Sequence, residues 1–205
     1  MQLRLKCYLA GPDVFLPDAI EIGRVKKRLC AEYGFEGLYP FDNEVPAHTR
    51  GERIDAIIYR ANMAMIRSAD FGIANLTPFR GPSADVGTVF ELGVLVGHGK
   101  PVFAYSNDTD TLLERVRKAA DATFDDDRKA WCDGFGMAIE DHGNADNLMI
   151  DMALAEQGHR LIRHPAKAGE RYRDLNGFEA CLQLAAESLS IVRSPATVSF
   201  PGGAG

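Results

Sequence analysis

One glutamate of this chain, Glu91, stands among Val89, Phe90, Leu92, Val94 and Leu95, in a stretch otherwise built for a protein interior. A carboxylate there is costly unless it is paired or opens onto a cleft. Upstream lies a second acid, Asp85, and Tyr8 sits near the end of the first alternating segment. Two carboxylates at the carboxyl edge of a sheet are the parts of glycosyl transfer: one ionised group attacks the anomeric carbon and another handles the leaving group's proton. A tyrosine hydroxyl bonded to the attacking carboxylate would lower its pKa against the rise that burial causes. Each residue also has a plainer reading. Glu91 fits the polar stripe of a helix, Asp85 followed by Thr88 fits an N-cap, and Tyr8 fits a strand tyrosine with its tip in water. Residue types alone leave both readings open.

The elements that must position these groups follow from periodicity. Residues 3–10 alternate Leu3, Leu5, Cys7 and Leu9 against Arg4, Lys6 and Tyr8, then stop at Gly11-Pro12, which predicts a first strand. Pro17 and Asp18 open a helix to about residue 33, with Ile22, Val25 and Leu29 on one face, and a short strand near 37–40 follows. Over 52–67, Ile54, Ile57, Ile58, Ala61 and Met65 recur at helical steps. A buried strand at 70–76, the loop TPFRGPSAD, an apolar helix over 86–97 and a strand at 101–105 come next. Residues 106–145 are the least regular, and fit a helix plus a lid or an oligomer contact. A helix at 147–157, a strand in HRLIRH and a last helix with Phe178, Cys181, Leu182, Ala185, Leu189 and Val192 on one stripe complete the unit. This alternation predicts a parallel sheet covered by helices on both faces. Ligands of such sheets bind beyond the carboxyl ends of the strands, where strand order reverses. Three loops qualify: AGPDVF, NLTPFRGPSAD and the loop after Tyr105.

Composition narrows the classes. The 205 residues are 46 % hydrophobic and 25 % charged, with 23 Lys+Arg against 29 Asp+Glu and a net charge of −6, which excludes a disordered or collagen-like chain. No basic run points to nucleic acid or an anionic membrane, and small molecules fit better. Cys7, Cys30, Cys132 and Cys181 form no CxxC pair, and the N-terminus is too short and too charged for a signal peptide, so reduced thiols and a cytoplasmic location are expected. One domain over 1–193 with a mobile tail at 194–205 is the expected organisation. The first strand is not followed by GxGxxG, and VGHGKP lacks the spacing of a triphosphate loop, so dinucleotides and triphosphates are not expected ligands. His48, His98, His142, His159 and His164 do not cluster, and no metal site is expected. Trp131 reads as packing or interface, and the acidic run at 125–127 as solvated surface.

YLAGPDVF, NLTPFRGPSADVGTVFELG and IEDHGNADNLMI resemble the nucleoside 2-deoxyribosyltransferases, over roughly residues 8–149. The resemblance is nearest to the longer branch of that family, with AGP after the first strand. It implies a flavodoxin-like, doubly wound sheet of about five parallel strands. It also implies exchange of 2-deoxyribose between a purine or pyrimidine 2′-deoxynucleoside and a free base, as in nucleotide salvage, without metal or organic cofactor. Position by position, Glu91 would be the nucleophile that forms a covalent deoxyribosyl-enzyme, Tyr8 would hold it, and Asp85 would assist proton transfer. Gly11, Asp13 and Phe15 would shape the base pocket, with Asn62 near the base. Asn147 and Met149 would reach the sugar's 5′ end from a neighbouring protomer of a homo-oligomer, whether dimer, tetramer or hexamer. The lid-like segment at 135–139 fits the same closed, shared site.

Two further readings use the same residues. A nucleoside or nucleotide N-ribohydrolase would pass the sugar from Glu91 to water, with Arg80 and Ser83 in the right loop for a 5′-phosphate. A non-catalytic nucleotide-binding sensor could use the same fold, since fold does not fix function.

Overall fold

The computed structural model describes residues 4–42, 51–167 and 169–192. In chain order the elements are β1 (Lys6–Ala10), α1 (Ala19–Glu32), β2 (Glu36–Leu38), α2 (Ile54–Ser68), β3 (Phe71–Asn75), α3 (Val86–Gly97), β4 (Val102–Ser106), α4 (Leu112–Ala119), β5 (Ala122–Asp125), β6 (Ala130–Asp133), α5 (Leu148–Ala155), β7 (Ile162–Arg163) and α6 (Asn176–Val192). Short 3-10 turns at Pro12–Phe15 and Pro40–Asp42 follow β1 and β2. The main sheet runs β2-β1-β3-β4-β7 with every pairing parallel. This is the doubly wound α/β order, and its reversal point lies between β1 and β3. His48 and the tail at 194–205 lie outside the described residues.

Strand alternation divides the core. Cys7, Leu9, Ile73, Phe103 and Tyr105 point to one face, where they meet Phe178, Cys181, Leu182 and Ala185 of α6. Tyr8, Ala10, Ala74, Val102 and Ala104 point to the other, against Leu92 and Leu95 of α3, Ile66 of α2 and Leu154 of α5. β1 and β3 pair from Cys7↔Phe71 to Ala10↔Ala74, so their carboxyl ends finish level with each other. Tyr8, on the α3 side, is fully buried.

Helix ends are held by side chains. Thr111 and Glu114 form a reciprocal capping box on α4, and Asp85 caps α3. The ammonium of Lys100 donates to the carbonyls of Ile66 (2.7 Å), Arg67 (2.7 Å) and Ala69 (2.6 Å), closing the carboxyl end of α2. Among the described residues no helix is long and apolar enough to cross a membrane.

Three features differ from the sequence expectation. The irregular stretch at 106–145 contains α4 and an antiparallel hairpin, β5 with β6, beyond which Phe135 stands 90 % exposed. Trp131 of that hairpin packs against Phe124 and lies 4.0 Å from the Arg117 guanidinium. Helix α2 buries Ile66 completely but leaves Ile54 and Ile58 exposed, because it leans on α3 through Tyr59 and Phe90 and does not bury its whole apolar stripe. In α1 a lysine, Lys26, joins the buried side, where periodicity predicts only Ile22, Val25 and Leu29.

Candidate active site

A cavity of about 420 Å³ opens at the carboxyl ends of β1 and β3. Three acidic or hydroxylic side chains of α3 and its cap, Asp85, Thr88 and Glu91, line one part, and Ile58 and Asn62 come from α2. Gly11, Val14 and Phe15 follow β1; Pro40 and Phe41 follow β2. The lining thus joins a few carboxylate and amide groups to apolar walls, the composition expected of a small-molecule site. The loop after Tyr105 takes no part and borders a separate recess with Pro165 and Arg171.

Glu91 is the centre of this arrangement. The Tyr8 hydroxyl donates to its Oε1 at 2.6 Å. Burial pushes the Glu91 carboxyl up to about 7; the Tyr8 hydrogen bond pulls it down, and the Asp85 charge adds to the rise. Burial, with the Glu91 charge second, raises the Tyr8 phenol far above its ordinary value, so the phenol is the donor. A half-buried carboxylate raised toward neutrality beside a cavity has the profile of a nucleophile or proton carrier.

Asp85 performs its cap: Oδ2 accepts from the backbone N–H and hydroxyl of Thr88, both at 2.9 Å. It lines the cavity as well. The loop before it is anchored from behind. Asp146 Oδ2 accepts the Ala84 N–H at 2.8 Å, and the buried Arg115 donates to the carbonyls of Pro82 (2.5 Å), Asp110 (2.7 Å) and Ala145, with Asp146 3.6 Å away.

Gly11, Phe15 and Asn62 border the cavity. A Cβ on Gly11 would fall 2.4 Å from Asp13 Oδ1 and 2.7 Å from Asn75 Cβ, so only glycine lets this turn close on the strand ends. Phe15 stacks on Phe79 at 5.3 Å, and the Arg80 guanidinium lies over both rings. Asp13 stands one layer behind. Its carboxylate is buried and engaged by Lys26 at 2.7 Å, Asn75 at 3.2 Å and the Tyr39 hydroxyl at 3.4 Å. Asn147 and Met149 do not line their own chain's cavity. Asn147 caps α5 through Met149 N–H and donates to Glu140 at 2.6 Å, while Met149 is 72 % exposed.

The walls formed by Val14, Pro40, Phe41 and Ile58 escape the sequence reading. One signal was present: α2 carries more large apolar residues than a single buried stripe can use. Among the described residues no group of three or more His, Cys, Asp or Glu is placed to hold a metal ion.

Residues 7–149 match the family model for nucleoside 2-deoxyribosyltransferase. The chain belongs to that family. An uncharacterized protein of Schizosaccharomyces pombe is 31 % identical over 163 residues, 74 % of this chain and 77 % of that protein. The solved structure of a 2-desoxiribosyltransferase from Leishmania mexicana superposes with a TM-score of 0.63 at 28 % identity, covering 89 % of this chain and 97 % of the other. A conserved protein from Enterococcus faecalis shares the fold, with a TM-score of 0.52 at 17 % identity over 89 % of this chain and 99 % of its own. Within the nucleoside 2-deoxyribosyltransferase family the matched span takes in Tyr8, Asp85, Glu91, Asn147 and Met149.

Proposed function

We propose that this protein transfers 2-deoxyribose between a 2′-deoxynucleoside and a free nucleobase through a covalent sugar ester on Glu91. The observation that carries this reading is the Tyr8 to Glu91 hydrogen bond of 2.6 Å on a carboxylate facing the cavity. In the first half-reaction, Glu91 attacks C1′, the C1′–N bond breaks, and its electron pair leaves with the base, which takes up a proton. Asp85, beside Glu91 in the lining, carries that proton. In the second half-reaction a new base attacks C1′, loses its proton by the same route and frees the carboxylate. Two inversions at one carbon preserve the β configuration.

Tyr8 holds Glu91 in line and favours its ionised form. The apolar walls at Phe15, Phe41 and Ile58 receive the planar base, and the bound base displaces water, the competing acceptor. Asn147 and Met149 are assigned to the sugar's 5′ end of a neighbouring protomer's site, which makes the working unit a homo-oligomer. Their exposed position away from their own cavity supports this.

The test is exchange of base between deoxyinosine and adenine, combined with intact-mass and peptide spectrometry after exposure to a 2-fluoro-2-deoxynucleoside. An adduct of one sugar on Glu91 is expected. An adduct on another residue overturns the assignment, and free sugar without new nucleoside makes the protein a hydrolase.

A further inference from the structure

Helix α1 carries two adjacent lysines, and both reach the candidate site from behind. Lys26 is 1 % exposed, and its ammonium lies 2.7 Å from Asp13 Oδ2. It also stands 5.2 Å from the centre of the Phe178 ring. Stability alone gives no reason to keep such a pair, since apolar residues of equal volume often serve a core as well or better. What Asp13 holds supplies a reason. Its Oδ1 accepts from Asn75 at 3.2 Å, its Oδ2 faces the Tyr39 hydroxyl at 3.4 Å, and Gly11 leaves the space in which it sits. Asp13 therefore ties the turn after β1 both to β3 and to the segment after β2.

Lys27 forms an ion pair with Asp42, whose other oxygen accepts the Tyr39 N–H at 2.9 Å. The Tyr39 ring packs so closely on α1 that a Cβ on Gly23 would meet it at 2.4 Å. The two tethers end on two different walls of the cavity. Val14 and Phe15 follow Asp13 directly; Pro40 and Phe41 lie between Tyr39 and Asp42.

We propose that Lys26, acting through Asp13 and Tyr39 and assisted by Lys27 through Asp42, sets the separation of the Val14–Phe15 and Pro40–Phe41 walls and so determines which heteroaromatic base the slot accepts. Lys26 is a positioning residue, and the identity of the ligand rests on the proposed transfer reaction. A slot of fixed width discriminates by shape, so loosening it changes the ranking of bases and leaves steps without a base untouched.

The experiment uses the full chain and the variants Lys26→Met, Asp13→Asn with Lys26→Met, and Lys27→Ala. Binding of hypoxanthine and of cytosine is measured by titration calorimetry, independently of turnover. The same two bases are then compared as acceptors, and release of sugar to water is timed from preformed deoxyribosyl-enzyme. The neutral pair is expected to fold with a melting point at or above that of the wild type. It is expected to weaken base binding about tenfold and to change the hypoxanthine-to-cytosine ratio of kcat/KM by about fivefold or more, with sugar release to water altered less than about twofold. Lys27→Ala, at a half-exposed pair, is expected to shift the ratio in the same direction by about twofold. Lys26→Met alone leaves Asp13 buried without its cation; if it does not fold, the neutral pair and Lys27→Ala decide. Equal losses for both bases and for water, or an unchanged ratio, overturn the proposal, as does a wild type that binds neither base. A wild type that binds both bases but transfers no sugar refutes the transfer reaction alone, and the ratio of dissociation constants then decides the role of Lys26.

Discussion

Tyr8 and Glu91 lie 83 residues apart in the chain and 2.6 Å apart in space. The hydrogen bond favours the ionised carboxylate, while burial and Asp85 oppose it and bring the group to about 7. Ionised Glu91, the form that the proposed transfer requires, is therefore populated above that pH and lost as pH falls through it. Tyr8→Phe removes the one group that pulls the value down. Its acid limb in single-turnover base release is expected to move up by about one pH unit, roughly 1.4 kcal/mol. A pH profile of that step, run from pH 5 to 9, checks the shift.

Glu91→Gln is expected to abolish transfer and to stabilise the fold above neutrality. The native state holds the Glu91 proton more tightly than the unfolded chain does. Stability from this group is thus fully present below about 4.5, the ordinary value, and is lost as pH rises to about 7. The amide never ionises and escapes that loss. Urea unfolding at pH 8 should favour the variant by up to about 3 kcal/mol, and the gap should narrow at pH 5.

Asp85 caps α3 and is proposed to carry a proton, and two substitutions separate the two roles. Asp85→Asn keeps an acceptor for the Thr88 N–H and should leave stability within about 0.5 kcal/mol, whereas Asp85→Ala loses the cap and costs about 1 kcal/mol. Both remove the charge that raises the Glu91 carboxyl, so both should lower the acid limb. If Asp85 carries the base's proton, both should also slow exchange by about a hundredfold. Thermal melts and exchange rates on the same samples give the comparison.

Arg115 joins three backbone segments with one guanidinium, and Asp146 beside it accepts from the residue before Asp85. Arg115→Met leaves Asp146 buried without its cation. A loss of about 3 kcal/mol is expected in chemical denaturation. A variant that melts with the wild type would show that the loop before α3 is held by other contacts.

The central acid was legible because a carboxylate in an apolar helix is a conflict that the sequence itself displays; the burial of Tyr8 was not, since alternation groups it with Arg4 and Lys6 and only the docking of α3 covers it. Lys26 was not legible. Helix periodicity sends a lysine to water, and its partner Asp13 sits in an irregular turn whose position only the closed fold defines. Pro40 and Phe41 were missed for the same reason: they form a wall only after β2 docks beside β1. The β5–β6 hairpin escaped because each strand is 4 residues long, too short for alternation to stand out.

Neighbouring positions on an α-helix differ by about 100° of rotation, so the ammoniums of Lys26 and Lys27 leave α1 along two fixed bearings. Helix α1 consequently works as a phased part. One extra residue ahead of Lys26 would turn both bearings by about 100° and cut both links while the helix itself survived. An insertion of seven residues, close to two full turns, would restore the phase to within about 20° yet carry both ammoniums about 10 Å along the axis, so it too would cut the links. The start of this helix is thus fixed in length as well as in angle.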